Sequence, residues 1–313
     1  MPPVFDVIMN HKLSKLPRDR SKITTEQRNP RSMKLHELSV AECLEHIAAE
    51  DEQIFAAIEI AKLDITSFVQ ALEPRFRQGG RLIYIGAGTS GRLGVLDAAE
   101  MPPTFQINPD RIIGIIAGGD RSLRLSSEGL EDDAEGARNV LSDLKLTKLD
   151  TLLGIAAGGT TPYVHGALLI SKELEPLVLT GLLTCSAPLD RVEVDHLLYI
   201  PTGPEVITGS TRMKAGTATK LALNMISTTL MIRSGRVYQN LMVDLKASNA
   251  KLRDRAARII AMLTDLPREE CFDLLNAADG EVKIAIVMNN LQISSGKARE
   301  ILNKVDGRLD KAS

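Results

Sequence analysis

The chain has 313 residues, enough for one large domain with an appendage or for two domains. Lys and Arg total 38 against 40 Asp and Glu, a formal net charge of -2, so no global positive surplus is available to hold nucleic acid or an anionic membrane. Aromatic residues make up 3% and tryptophan is absent, which speaks against stacking platforms for bases or polysaccharide chains. Residues 1–38 are rich in Lys, Arg and Pro without sustained periodicity and are expected to form a polar arm. The opening stretch has no long apolar core and is not expected to be a signal peptide. Order is predicted to start at Ser39-Val-Ala-Glu42, a capping box in which the serine hydroxyl and the glutamate satisfy orphan amides. Apolar residues at helical spacing then continue to Gln78, and Gly79-Gly80 ends the helical region.

The period changes in the middle of the chain. Short apolar runs at 82–85, 112–116, 152–156, 179–184 and 197–200 alternate with longer amphipathic stretches. Runs this short and continuous suit strands buried on both faces of a parallel sheet, with helices as crossovers, so the class is α/β. Further helices are predicted over 213–233 and 240–263. Leu266-Pro267 marks a boundary, and amphipathic segments at 268–277, 280–290 and 294–304 suit a small helical module. The expected division is an arm at 1–38, a main domain at 39–266 and a tail at 267–313. No run of 18 apolar residues occurs, so no helix is expected to span a membrane. Cys43, Cys185 and Cys271 lie far apart without a CxxC, which suits a reduced, cytoplasmic compartment. The five histidines form no HxxxH pair, and no metal site is expected.

The sharpest local signal is the stretch from Arg81 to Arg92, a strand that ends in a glycine turn and opens a helix. Amides and the positive helix end there make an anion site. Gly86, Gly88 and Gly91 satisfy GxGxxG, but the acidic residue that would hold a dinucleotide ribose is missing, with Arg111 near its place. Arg92-Leu93 replaces the Lys-Ser/Thr pair of a Walker motif. Gly88, Thr89 and Ser90 instead offer an amide turn and hydroxyl donors to a compact monophosphate, without nucleotide or metal. A second such turn runs from Leu153 to Pro162 and presents Gly159, Thr160 and Thr161. Two hydroxyl-lined turns at strand ends suggest a shared crevice for a phosphorylated ligand. A third segment, from Thr208 to Lys214, adds Ser210, Thr211 and Lys214 as candidate contacts to phosphate or sugar.

Two groups of carboxylates could supply acid–base chemistry. Glu100 precedes Met101-Pro102-Pro103, whose prolines fix the local path. In the run from Ser127 to Asp133, Glu128, Glu131, Asp132 and Asp133 are all candidates, and composition does not choose among them.

Together these segments resemble the N-acetylmuramic acid 6-phosphate etherase family, built on the sugar isomerase (SIS) fold. The matching stretches are 25–30, Gly86 to Glu100 with 102–104, 128–132, 161–163, 205–220 and 240–244. The tail looks like a ubiquitin-associated (UBA-like) three-helix module. The resemblance implies cleavage of the D-lactyl ether from carbon 3 of the sugar phosphate in cell-wall amino sugar recycling, giving D-lactate and N-acetylglucosamine 6-phosphate. It also implies that Glu100 and Glu131 are the catalytic pair, that no cofactor is needed, and that a homodimer shares its active sites. Related folds suggest two alternatives, a sugar-phosphate sensor like the glucokinase regulatory protein and an aldose–ketose isomerase. One departure stands out: the family usually has Ser-Gly-Arg-Thr-Pro at the second loop, where this chain has Gly158-Gly-Thr-Thr-Pro162. Met101 and Ser186-Ala-Pro188 also differ from the usual cysteine and Asn-Pro. Altered substrate preference is therefore expected.

Overall fold

In the computed structural model, residues 19–125, 128–189, 192–245, 247 and 249–312 are described. Residues 1–18 of the arm and Ser127 lie outside them, as does the side chain of Glu128. The five apolar runs form five parallel strands, β1 (Leu82–Gly86), β2 (Ile112–Ile116), β3 (Thr151–Ile155), β4 (Leu179–Thr184) and β5 (His196–Tyr199), in the order β2-β1-β3-β4-β5. Successive side chains point to opposite faces. Leu82 and Tyr84 join a core with α2 (Gln53–Arg77), α3 (Gly88–Phe105) and α6 (Lys214–Arg233). Ile83 and Ile85 face α4 (Arg138–Asp143) and α5 (Pro162–Leu174). Each fully buried side chain of this kind contributes about 1.5–3 kcal/mol.

Ser39 and Glu42 form the predicted capping box at the start of α1 (Val40–Asp51). Two other segments differ from expectation. Residues 19–38 are a strap of short 3-10 turns that buries Ile23, Thr25 and Asn29. Periodicity misses such a segment because side-chain hydrogen bonds, not an amphipathic face, hold it down. The helix expected from residue 240 begins only at α7 (Ala250–Thr264), where the Asn249 side chain accepts from Leu252 N at 2.9 Å. Ahead of it, β6 (Val237–Tyr238) and β7 (Leu241–Met242) pair antiparallel. Gln239, left-handed at φ 54°, closes their two-residue turn.

The three tail segments are α8 (Arg268–Ala277), α9 (Val282–Leu291) and α10 (Ser295–Lys304). They share one apolar cluster with Ala256, Ile259 and Ile260 of α7 and with Val243 and Leu245. The C-terminal unit is thus a bundle of four helices, with α7 as its first. Among the described residues no helix is long and apolar enough to cross a membrane.

Candidate active site

From β1 the chain crosses to β2 on one side, while β3 lies on the other. Their carboxyl ends meet where Gly86 pairs with Ile155. A crevice opens at such a switch point in parallel sheets. A Cβ on Gly86 would fall 2.8 Å from Gly91 N, and one on Gly91 would fall 2.7 Å from Gly86 O. These two glycines therefore close the turn against itself, a packing demand separate from ligand binding. Gly88 takes φ 52° with open space around it. Ala87 gives α3 no side-chain cap, so the first-turn amides are left for water or an anion.

The second turn lies beside the first. Gly159 has φ 71°, and a Cβ there would meet Thr184 Oγ1 at 2.9 Å. His165 Nε2 lies 2.8 Å from Gly159 O. Thr160 and Thr161 are half-buried, as are Thr89 and Ser90. The third segment reaches the same place, since a Cβ on Gly216 would lie 3.5 Å from Thr89 Cγ2. Ser210 is half-buried on that segment, and Gly209 N donates to Thr25 O at 3.0 Å. Ser186 Oγ accepts from Thr25 N at 3.1 Å and donates to Thr25 Oγ1 at 3.2 Å. A Cβ on Gly158 would lie 3.7 Å from Thr25 Oγ1. The strap thus ties the second and third loops together.

Lys214, a candidate contact to phosphate or sugar, is bonded to a carboxylate of α1. It is fully buried, and its Nζ donates to Glu50 Oε2 at 2.6 Å. Glu50 also accepts from Asn29 Nδ2 at 2.9 Å and from Arg31 through Nε and Nη2. Burial would raise the Glu50 carboxyl, but hydrogen bonds from Arg31 and Lys214, the Lys214 charge and Asn29 outweigh it and lower it to about 2. Glu205, also buried, accepts from Lys214 N at 3.0 Å and Ala215 N at 2.9 Å and so caps α6.

The two glutamates sit differently. The half-buried Glu131 follows a loop anchored by Arg92, which donates to Ser122 O at 2.7 Å and Leu123 O at 3.1 Å. Its own carbonyl accepts from Tyr163 N at 3.0 Å, directly after the second hydroxyl loop. Gly166 permits that approach, because a Cβ there would fall 1.8 Å from Ala134 O. Gly166→Ala is accordingly expected to displace the segment carrying Glu131. Thermal melting should show a loss of about 2–4 kcal/mol, with activity falling further than the folded fraction. Glu100 is exposed on α3, about 18 Å along the helix from Gly88 at 1.5 Å per residue. Its own glycine turn is thus beyond its reach.

The chain matches the model for the glucokinase regulatory protein N-terminal SIS domain over residues 64–172, and that for the C-terminal lid domain of the same protein over 239–295. It is 46% identical over 293 residues to an N-acetylmuramic acid 6-phosphate etherase of Gloeothece citriformis, covering 93% of this chain and 95% of that protein. The chain belongs to this etherase family. Etherases of Caldanaerobacter subterraneus (46% identical, 93% of this chain and 94% of that protein) and Lactobacillus johnsonii (44%, 92% and 96%) match as fully. Among solved structures, the phosphoheptose isomerase of Neisseria gonorrhoeae is 17% identical with a TM-score of 0.42, covering 60% of this chain and 97% of that chain.

In this member of the etherase family, Glu50, Glu205, Asn29 and Arg31 escaped sequence reasoning. Asn29 lay within a matching stretch, but no spacing tied it to Glu50 or to Lys214, 164 residues from Glu50. An acid inside an amphipathic helix ordinarily reads as a solvated one.

Proposed function

We propose that the protein cleaves the D-lactyl ether of N-acetylmuramic acid 6-phosphate, releasing D-lactate and N-acetylglucosamine 6-phosphate. The carrying observation is the match to curated etherases over nearly the whole length of both chains, and the crevice chemistry agrees with it. The amides and hydroxyls of Gly88, Thr89, Ser90, Gly159, Thr160, Thr161 and Ser210 would hold the phosphate and sugar. In the open-chain sugar the carbon 2 proton is acidified by the neighbouring aldehyde, and a carboxylate base removes it. The enolate then expels the ether oxygen from carbon 3, which takes a proton from a carboxylic acid. Water adds at carbon 3 of the unsaturated aldehyde, and carbon 2 regains a proton. Glu100 and Glu131 supply the two carboxyl groups in this proposal.

We further propose that a homodimer completes the site. Glu131 sits beside its own second loop, whereas Glu100 is exposed at a distance from its own first loop, so Glu100 would serve the partner's crevice. Lys214 acts in this scheme as a positioning residue, holding the third loop through Glu50. The main domain would end near residue 236, since Val243 and Leu245 pack with the lid. The scattered free cysteines support a cytoplasmic location.

Incubation with N-acetylmuramic acid 6-phosphate should release D-lactate, measured enzymatically. Folded protein that yields none would remove the assignment. Binding without turnover would point instead to the sensor function of the glucokinase regulatory type.

A further inference from the structure

A cleft of about 490 Å³ lies away from the crevice, where the end of α2, the start of β2 and the end of α6 meet the C-terminal unit. Arg77, Arg111, Ser234, Arg236 and Asp306 are among its walls. Arg111 donates through Nε to Gly80 O at 3.2 Å and through Nη2 to Phe76 O, with its Cζ 4.0 Å from the centre of the Phe76 ring. Arg236 Nη1 lies 2.6 Å from Asp244 Oδ2, and the other oxygen of Asp244 takes Lys283 Nζ at 2.7 Å. Arg77 Nη2 lies 3.2 Å from Asp306 Oδ2. A guanidinium carries five N–H donors, so each of these three keeps some uncommitted.

The charges do not balance. Three guanidiniums face one carboxylate among the described lining residues, and Asp244 is already shared between Arg236 and Lys283. Burial first, and then the neighbouring Arg236 charge, push the Arg111 guanidinium below its ordinary value, against the opposing pull of Asp150. The Ser234 hydroxyl on the same wall is buried without a hydrogen-bond partner, and a buried polar group of this kind calls for one.

We propose that this cleft is a second anion site, taking a small phosphomonoester dianion that bridges the SIS unit and the lid. Two negative charges match the surplus of two positive ones. Guanidinium forks pair with phosphate oxygens. The volume exceeds that of inorganic phosphate and leaves room for a small organic group. Because the ligand would touch Arg77 and Arg111 on one side and the approach to the lid on the other, its binding stabilises their docking. The proposal does not rest on the etherase assignment.

Hydrogen–deuterium exchange of the full-length protein, with and without inorganic phosphate, tests it. Phosphate should slow exchange at residues 74–80 and 233–237, with a measurable half-saturation. Arg77→Gln should weaken that protection about tenfold, the effect of losing one charged hydrogen bond. Asp306→Asn should act in the opposite direction, tightening it about threefold by removing the opposing carboxylate. Asp306 has φ 55°, a conformation that Asn tolerates, so this variant also controls for misfolding. Protection confined to residues 86–91 and 156–161, no protection at the junction, or junction protection insensitive to both substitutions would overturn the proposal. None of these readouts depends on turnover, so failure of the site and failure of the etherase assignment are distinguishable.

Discussion

Co-refolding equal amounts of Glu100→Ala and Glu131→Ala protein, each inactive alone, is expected to restore about a quarter of wild-type activity. Each substitution by itself should lower kcat by about 10²–10⁴, the usual contribution of a positioned acid or base. If each crevice takes Glu131 from one protomer and Glu100 from its partner, a mixed dimer holds one site with both glutamates and one with neither. Half of the dimers in an equal mixture are mixed, and half of their sites work. Were both glutamates drawn from one protomer, every site in every dimer would lack one of them, and mixing would restore nothing. The rationale lies in α3: Glu100 is about 18 Å from Gly88 along a helix, while Glu131 is bonded through its backbone to Tyr163. Lactate release by the mixture, with melting curves showing that both variants fold, is the measurement.

Glu50→Gln should be the most damaging substitution outside the crevice, costing about 3–5 kcal/mol, because it strands the Lys214 ammonium in a dry interior. Lys214→Met should cost less, since Glu50 would keep Arg31 and Asn29. For a chain of this size the first loss corresponds to a fall of roughly 5–8 °C in Tm. The acid dependence follows from the depressed carboxyl. Its folded value of about 2 lies below its ordinary value of 4.5, so its stabilisation is fully present above 4.5 and is lost as pH falls through about 2. That contribution, about 3 kcal/mol, should disappear from the acid limb of the stability profile in Glu50→Gln. Were Lys214 instead a phosphate contact, Lys214→Met would raise KM and leave Tm unchanged. Calorimetry from pH 2 to 7 beside steady-state kinetics separates the two roles.

The strands were legible because each is a short apolar run with both faces buried, and the sheet leaves such runs no other place. The three loops were legible because glycine and hydroxyl residues at strand ends have few alternative uses. The structure brings those loops together at the carboxyl ends of β1 and β3. The strap from 19 to 38 was illegible for a physical reason. Its order comes from single long-range bonds, such as Thr25 to Ser186 and Asn29 to Glu50, and these impose no period. Lys214 shows the same limit of pattern reading: a basic residue at a helix start beside hydroxyls suggests an anion, and only the fold reveals its bond to Glu50. The hairpin at 237–242 escaped because Leu241 and Met242 also suit a helical pattern, and the left-handed Gln239 carries no sequence mark. Choosing Glu131 over its acidic neighbours required the family resemblance, since composition left four candidates equal.

The departure at Gly158-Gly-Thr-Thr-Pro162 now has partial physical content. Gly159 is required by its positive φ and by Thr184 Oγ1, whereas Gly158 and Thr160 answer to no such constraint. They are the positions at which substrate preference is expected to be set.

Running the reaction in water enriched in oxygen-18 tests the proposed elimination most directly. The account predicts N-acetylglucosamine 6-phosphate labelled at its carbon 3 hydroxyl, and D-lactate that keeps the unlabelled ether oxygen. Label in the lactate hydroxyl, with the carbon 3 hydroxyl of the sugar unlabelled, would mean that water attacks the lactyl carbon and would contradict it.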